Sequence, residues 1–357
     1  MKTKTNTHTT NIETVTGPKY RQIKLGIDVH ADSYRVVRQL DHATPQPAQK
    51  FTPEQFLEFA AKQLTAAQEV YSCYEAGPFG YALHRQLLAL GLRNVVVRPQ
   101  NWDELNRGVK TDKTDALALV QRLDRYAQGN TKALAVIAVP TPEQERERAL
   151  SRRREQLQKD RQVHEAQGRS LLLYQGYRIK GQWWKAAAWL KLTRRIPGWL
   201  TELLTSIRQQ VLHTDELLAA FSHRLERQAK PPAKGFGRLT SESLRREVLD
   251  WHRFKNRRQV ASLTGMCPRV RASGQKRLSG SISKQGNPRL RRLLVELAWR
   301  VVRYQPHYPP VQRWREQLAA PHPGSRKKAV VAIGRRLAID LWRLETGRVS
   351  AAQLQLQ

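Results

Sequence analysis

The sequence predicts an α/β domain followed by a basic, all-α region. Three observations carry this expectation. Strand-like and helix-like apolar patterns alternate between about residues 20 and 130. Helical patterns then run with few interruptions from 143 to 347. Charge changes between the two parts: residues 1–140 hold 18 Lys+Arg and 13 Asp+Glu, a net of +5, whereas the remainder holds 45 and 17, a net of +28.

Residues 1–18 are Thr/Asn-rich and polar, and are expected to form a disordered tail. Ile23–Val29 alternates like a strand, and Tyr34–Leu40 reads as its hairpin partner. Pro53–Leu64 has a helical period with Thr52 as N-cap. Glu69–Glu75 is a strand, and Gly80–Leu90 a helix closed by Gly91. Asn94–Arg98 contains the apolar run Val95-Val-Val97, and Ala116–Tyr126 is helical. The α/β domain is therefore expected over 19–130. A connector at 128–140 ends in Pro140 and Pro142. The helical stretch 140–230 begins with a charged helix from 143 to about 176. Its apolar positions are so sparse that it must pair with another helix or lie on a polyanion. At least two further helices fall in 181–228, broken around Pro197-Gly198. Lys230–Lys234 marks a second linker, and 231–347 forms the basic C-terminal domain.

Composition narrows the partners. The 357 residues carry a formal charge of +33, with 40% apolar residues and an isoelectric point near 10.9. Such a chain repels itself, and polyanions relieve the repulsion. Nucleic acid is the leading partner. No apolar run approaches 18 residues and no signal peptide is apparent, so no membrane association is expected. Two cysteines, Cys73 and Cys267, form no CxxC, which fits a cytoplasmic location and argues against structural zinc.

Four carboxylates then stand out: Asp28 and Glu75 at strand ends, and Asp112 and Asp115 where a helix begins. Residues three apart share a helix face. Gathered carboxylates repel, so a fold that collects four usually does so around divalent metal. Taken singly, each is also an ordinary turn former or solvated acid.

Around these residues the sequence becomes specific. Gly26-Ile-Asp-Val-His30, Tyr74-Glu-Ala-Gly77, Asn94-Val-Val-Val-Arg-Pro-Gln100 and Lys110-Thr-Asp-Lys-Thr-Asp-Ala116 resemble the DEDD signature of bacterial insertion-sequence transposases of the Piv/MooV type, insertion-sequence family one-ten. In the second half, Gly235-Phe-Gly-Arg-Leu-Thr240, Phe254–Pro268, Arg271-Ala-Ser-Gly274 and Ile282–Leu294 resemble the C-terminal transposase domain of that family. The resemblance covers roughly 20–130 and 230–305, with a coiled-coil-like spacer between.

It implies an RNase H-like (RuvC-like) N-terminal domain. Magnesium (Mg2+) or manganese would be held there by Asp28, Glu75, Asp112 and Asp115. It also implies a C-terminal serine nucleophile, for which the Arg-x-Ser-Gly context favours Ser273, with Ser279, Ser281 and Ser283 as alternatives. Implied partners are donor and target DNA and a guide (bridge) RNA. A homo-oligomer, dimer or tetramer, is expected because two duplexes must be exchanged in concert. The rival readings are a RuvC-like junction-resolving nuclease without a covalent intermediate, and a non-enzymatic RNA- or DNA-binding protein.

Arg271, Lys284, Asn287, Arg289, Arg291 and Arg292 are expected to contact nucleic-acid backbone, because helix-start N–H groups beside arginines suit phosphate. The alternative is a turn leading into an amphipathic helix, Leu290–Arg303, with Leu290, Leu293, Leu294, Leu297 and Val301 as its apolar face. Gly235 and Gly237 suit either a phosphate cradle or a plain helix start. Eight of the nine tryptophans follow residue 140, and Trp183, Trp184 and Trp189 read as a helix–helix core or subunit interface rather than as base-stacking platforms.

Overall fold

The computed structural model describes residues 18–99, 112–273 and 276–357, and the chain divides into two compact units at Val139/Pro140.

The first unit is built on β1 (Tyr20–Val29), β2 (Tyr34–Leu40), β3 (Gln49–Phe51), β4 (Ala67–Glu75) and β5 (Arg93–Val97), in the sheet order β3-β2-β1-β4-β5. β1 runs antiparallel to β2 and parallel to β4, and β4 runs parallel to β5. Strand alternation gives β1 two buried faces. Ile23, Leu25 and Ile27 join Phe56 and Ala60 of α1 (Pro53–Ala66) and Leu83 and Leu87 of α2 (Ala82–Leu90). The opposite face of the sheet is covered by α3 (Asp112–Ala127), through Ala116, Leu119, Val120 and Leu123.

Local signals explain the boundaries. Thr52 and Gln55 form a reciprocal capping box at α1, which satisfies otherwise orphaned helix N–H groups. Gly91 ends α2 in the left-handed region at φ 105°. α2 starts at Ala82 rather than at Gly80, whose own φ is +69°. Sequence reading anticipated neither β3 nor the use of the connector, where Val136 bridges Val97 on the edge of β5.

In the second unit α4 (Pro142–Tyr174) pairs with α6 (Gly198–Arg227), and α5 (Ala186–Thr193) lies between them in sequence. The polar helix at 143–176 thus takes the first of its two expected alternatives. Trp183 and Trp184 are almost fully buried beside Leu172, Leu192 and Leu200, the core reading of that cluster. Gly168 makes the close approach of α4 possible: a Cβ there would fall inside the Trp183 ring.

The remaining elements are α7 (Arg238–Val248), α8 (Arg257–Thr264), β6 (Pro268–Ser273), β7 (Lys276–Ile282), α9 (Pro288–Tyr304), α10 (Pro309–Arg313), α11 (Arg315–Ala319) and α12 (Pro323–Glu345). The predicted apolar face of α9 is buried in full and packs on Val330, Ile333, Leu337 and Leu341 of α12. The expectation of an all-α second part is corrected by the antiparallel β6–β7 ribbon. A two-stranded ribbon needs no buried face, and Val270 and Leu278 are 44% and 70% exposed. The alternation of Val270 and Ala272 with Arg271 and Ser273, and of Leu278 and Ile282 with Ser279 and Ser281, is present but too short to stand out in a basic, Ser-rich stretch.

Candidate active site

Asp28 and Glu75 are placed by neighbouring parallel strands. Ile27 is in register with Tyr74, so the next residues, Asp28 and Glu75, stand side by side at the same end of the sheet, about 4.8 Å apart across the ladder. Both belong to the face under α3. Residues two apart share a face, and Lys24, Gly26 and Cys73 all meet that helix. Lys24 Nζ lies 2.9 Å from Asp124 Oδ1, a Cβ on Gly26 would touch Ala116 O and Val120 N, and Cys73 Sγ contacts Leu119 O at 3.6 Å.

These contacts also fix the direction of α3. Lys24 meets residue 124, and Gly26 meets 120 and 116. Two more strand residues advance about 6.6 Å, close to one 5.4 Å helical turn. The turn that begins at Asp112 and includes Asp115 therefore comes level with Asp28. His30 meets the same carboxylate, with Nε2 3.1 Å from Asp28 Oδ2. Glu75 acts electrically on this layer: burial pushes the Cys73 thiol up, and the Glu75 charge adds to the shift.

Four carboxylates would offer only hard oxygens, which suit magnesium better than zinc. Among the described side chains no group of three His, Cys, Asp or Glu is close enough to hold a metal ion. The Asp112 side chain and residues 100–111, including Lys110 and Thr111 of the acidic motif, lie outside the described part.

In the second unit Ser273 ends β6, its backbone paired with Lys276 at the tip of the ribbon. The side chains of Arg271, Ser273 and Ser279 lie outside the described part. Ser281 is exposed on β7. Ser283 is tied down, its Oγ donating to Gly265 O at 3.4 Å.

The residues around the start of α9 have intramolecular partners. Asn287 is the N-cap, accepting from the N–H groups of Arg289 and Leu290. Its Nδ2 donates to Glu247 Oε2 at 2.8 Å. Arg289 and Arg292 both reach Glu155 of α4, at 3.0 and 3.4 Å. Arg291 donates to the carbonyls of Thr264 and Lys284, and Lys284 itself adopts φ 57°. Arg289 and Arg292 are still partly exposed, so one face of each guanidinium is open to solvent. Gly237 precedes α7 without a side-chain cap, and a Cβ there would collide with the Arg300 guanidinium. The Arg300 side chain could move aside, but Gly237 sits at φ 63°, a backbone conformation that accounts for a plain glycine at this helix start.

Comparison with known proteins decides the family. Putative transposase y4rJ of Sinorhizobium fredii is 33% identical over 301 residues, covering 75% of each chain. The chain belongs to the IS116/IS110/IS902 family of transposases. The family model itself matches residues 232–311. The transposase for insertion sequence element IS1533 of Leptospira borgpetersenii is 26% identical over 303 residues, 78% of this chain and 85% of that one. The transposase for element IS1111A of Coxiella burnetii is 26% identical over 302 residues, covering 79% and 80%.

This transposase therefore acts on DNA. Among its described residues, no helix is long and apolar enough to cross a membrane.

Sequence reading missed the carboxylates that hold the transposase's basic loop in place, Glu155 and Glu247. Their signal was present but weak: two acids isolated among arginines on helices. Burial raises the Glu247 carboxyl, but hydrogen bonds from Asn287 and Arg152, with the charges of Arg152 and Arg148, outweigh it. The group lies below the usual glutamate range.

A lowered folded value stabilises the fold above the unfolded value, and this is lost as pH falls through the folded value. Glu247→Gln is accordingly expected to lower the melting temperature at pH 7. The gap to the parent should shrink as pH drops below about 4. Thermal melts across pH 3–7 measure this, and a gap independent of pH would contradict it.

Proposed function

We propose that the chain is a metal-dependent DNA recombinase whose N-terminal unit is RNase H-like, with Asp28, Glu75, Asp112 and Asp115 as its metal-holding carboxylates and Ser273 as nucleophile. One observation carries the reading: Asp28 and Glu75 end adjacent strands under the helix whose first turn bears Asp112 and Asp115. Acid on the first strand, acid on a later parallel strand and two acids on the covering helix is the order that the family resemblance implies. Magnesium or manganese held there would polarise a phosphoryl oxygen and offset the charge that builds on the leaving oxygen.

The chain's own groups supply the rest. A serine hydroxyl is a weak nucleophile until its proton is removed. Ser273 Oγ attacks a DNA phosphorus, a serine–phosphate bond forms, and the strand's own P–O bond breaks to leave a sugar hydroxyl. Ser273 suits the task because it ends a strand of a two-stranded ribbon, which can approach a duplex without the bulk of a helix. The net +28 of the second part supports binding both of DNA and of a guide RNA. A homo-oligomer is the expected assembly, since two duplexes are exchanged.

Ser273→Ala decides the covalent step. In magnesium, the parent protein is expected to form a protein–DNA adduct stable to denaturant and detected by gel shift. Ser273→Ala should form none while still binding DNA. An undiminished adduct would move the nucleophile to Ser279, Ser281 or Ser283. Full strand exchange with no adduct in either protein would favour a junction-resolving nuclease instead.

A further inference from the structure

A cavity of the second unit is lined by none of the residues assigned to the chemistry above, although Cys267 on its wall immediately precedes β6. It has a volume of about 790 Å³ and is bounded by α8, α10, α12 and the C-terminal residues Gln353 and Leu354. Its charge is one-sided: six arginines against a single carboxylate, Asp340. On α12 the lining residues Ala332, Arg335, Arg336, Ile339, Asp340 and Arg343 repeat at intervals of three and four. They form one continuous stripe of that helix.

The lone acid is spoken for. Asp340 is buried, accepts from Tyr308 Oη at 2.8 Å, and pairs with Arg336 and Arg343 at 2.8 and 3.1 Å. It therefore orients two guanidinium groups and leaves little negative charge for the cavity. Among the described residues, Arg257, Arg258, Arg313 and Arg335 have no side-chain hydrogen bond or ion pair. Four like charges converging on one cavity repel each other, and folding alone gives no reason to keep them together. The apolar part of the wall includes Trp314, a partly buried residue that also packs against the core.

Unpaired guanidinium groups suit phosphate, and an indole face suits an unpaired base. A cavity of this volume is of ordinary size for a small organic ligand.

We propose that this cavity receives an unpaired nucleotide of a nucleic-acid strand, its base against Trp314 and its flanking phosphates on Arg313 and Arg335. The site would hold a strand that is melted or looped near the second unit. It does not depend on the carboxylate site, so loss of strand cleavage in an Asp28 variant leaves it untouched.

The test uses the full-length protein and a fluorescent dodecamer of deoxythymidylate, followed by anisotropy across a salt series. Arg313→Ala combined with Arg335→Ala is expected to weaken binding at least tenfold. The slope of log affinity against log salt should fall by about 1.4, because each single-strand phosphate that the variant no longer neutralises accounts for roughly 0.7. Arg224→Ala with Arg227→Ala removes the same charge from the exposed end of α6 and should leave the affinity within about twofold. Equal weakening by the two double variants would reduce the site to general attraction and overturn the proposal.

Photocrosslinking of a dodecamer carrying 5-iodouracil, mapped by mass spectrometry, should label the peptide containing Trp314. Labelling confined to other peptides would also overturn it. Thymidine monophosphate binding as tightly as the dodecamer would overturn the assignment to a strand.

Discussion

Asp28→Asn is expected to abolish DNA strand cleavage while leaving the protein folded and able to bind DNA. The change is isosteric and removes one negative charge. Asp28 is 23% exposed, so the substituted amide keeps access to water. His30 can still meet the amide oxygen at the position it now occupies, 3.1 Å from the side chain. What disappears is an anionic oxygen at the point where β1, β4 and the first turn of α3 converge.

If that point holds the metal, cleavage should fall on the order of 10³-fold, equivalent to about 4 kcal/mol of transition-state stabilisation. The melting temperature should move little, and affinity for duplex DNA should stay close to the parent's because the basic second part is unchanged. The measurement is cleavage of a labelled element end in magnesium, with melting and binding recorded on the same preparation. Cleavage at the parental rate would remove Asp28 from the site, and with it the proposed carboxylate cluster.

The same residues show what the sequence made legible and why. β1 carries both signals at once: Ile23, Leu25 and Ile27 mark the buried face, and Gly26 and Asp28 mark the face under α3. Period and composition agree there, so the strand, its hairpin partner and the candidate acid could all be named. α9 was equally clear because its apolar stripe is buried without exception.

The β6–β7 ribbon was not, since its alternation spans only a few residues of each strand and is set among arginines and serines. The arginines at the start of α9 were legible as charge but not as partnership. Arg289 and Arg292 reach Glu155 from more than 130 residues away in the chain, and no local spacing encodes such a pairing. The arginine-lined cavity lies between these cases. The stripe on α12 can be read from its spacing, but only the fold brings Arg257, Arg313 and Trp314 to it.

Gly26→Ala tests whether the architecture itself sets the catalytic geometry. An added Cβ would fall 2.4 Å from Ala116 O and 2.6 Å from Val120 N, both backbone atoms of α3. No side-chain rotation relieves such a clash, so α3 must move off the sheet by about 1 Å to reach ordinary packing distance. Overpacking of this kind costs about 1–3 kcal/mol, or a fall in melting temperature on the order of 10 °C for a unit of this size.

The larger effect should be on activity. The displaced helix carries Asp112 and Asp115, whereas Asp28 and Glu75 stay with the sheet. A shift of about 1 Å between parts of a reacting site can cost on the order of 100-fold. Gly26→Ala is therefore expected to cut DNA roughly 100-fold more slowly at temperatures where circular dichroism shows it fully folded. Gly198→Ala is the control: a Cβ there meets nothing within 4 Å, and both properties should stay parental. Loss of stability with parental cleavage in the folded protein would mean that the α3 acids take no part in the reaction. Loss of cleavage beyond what unfolding explains would tie the two halves of the carboxylate set to the spacing that one missing side chain permits.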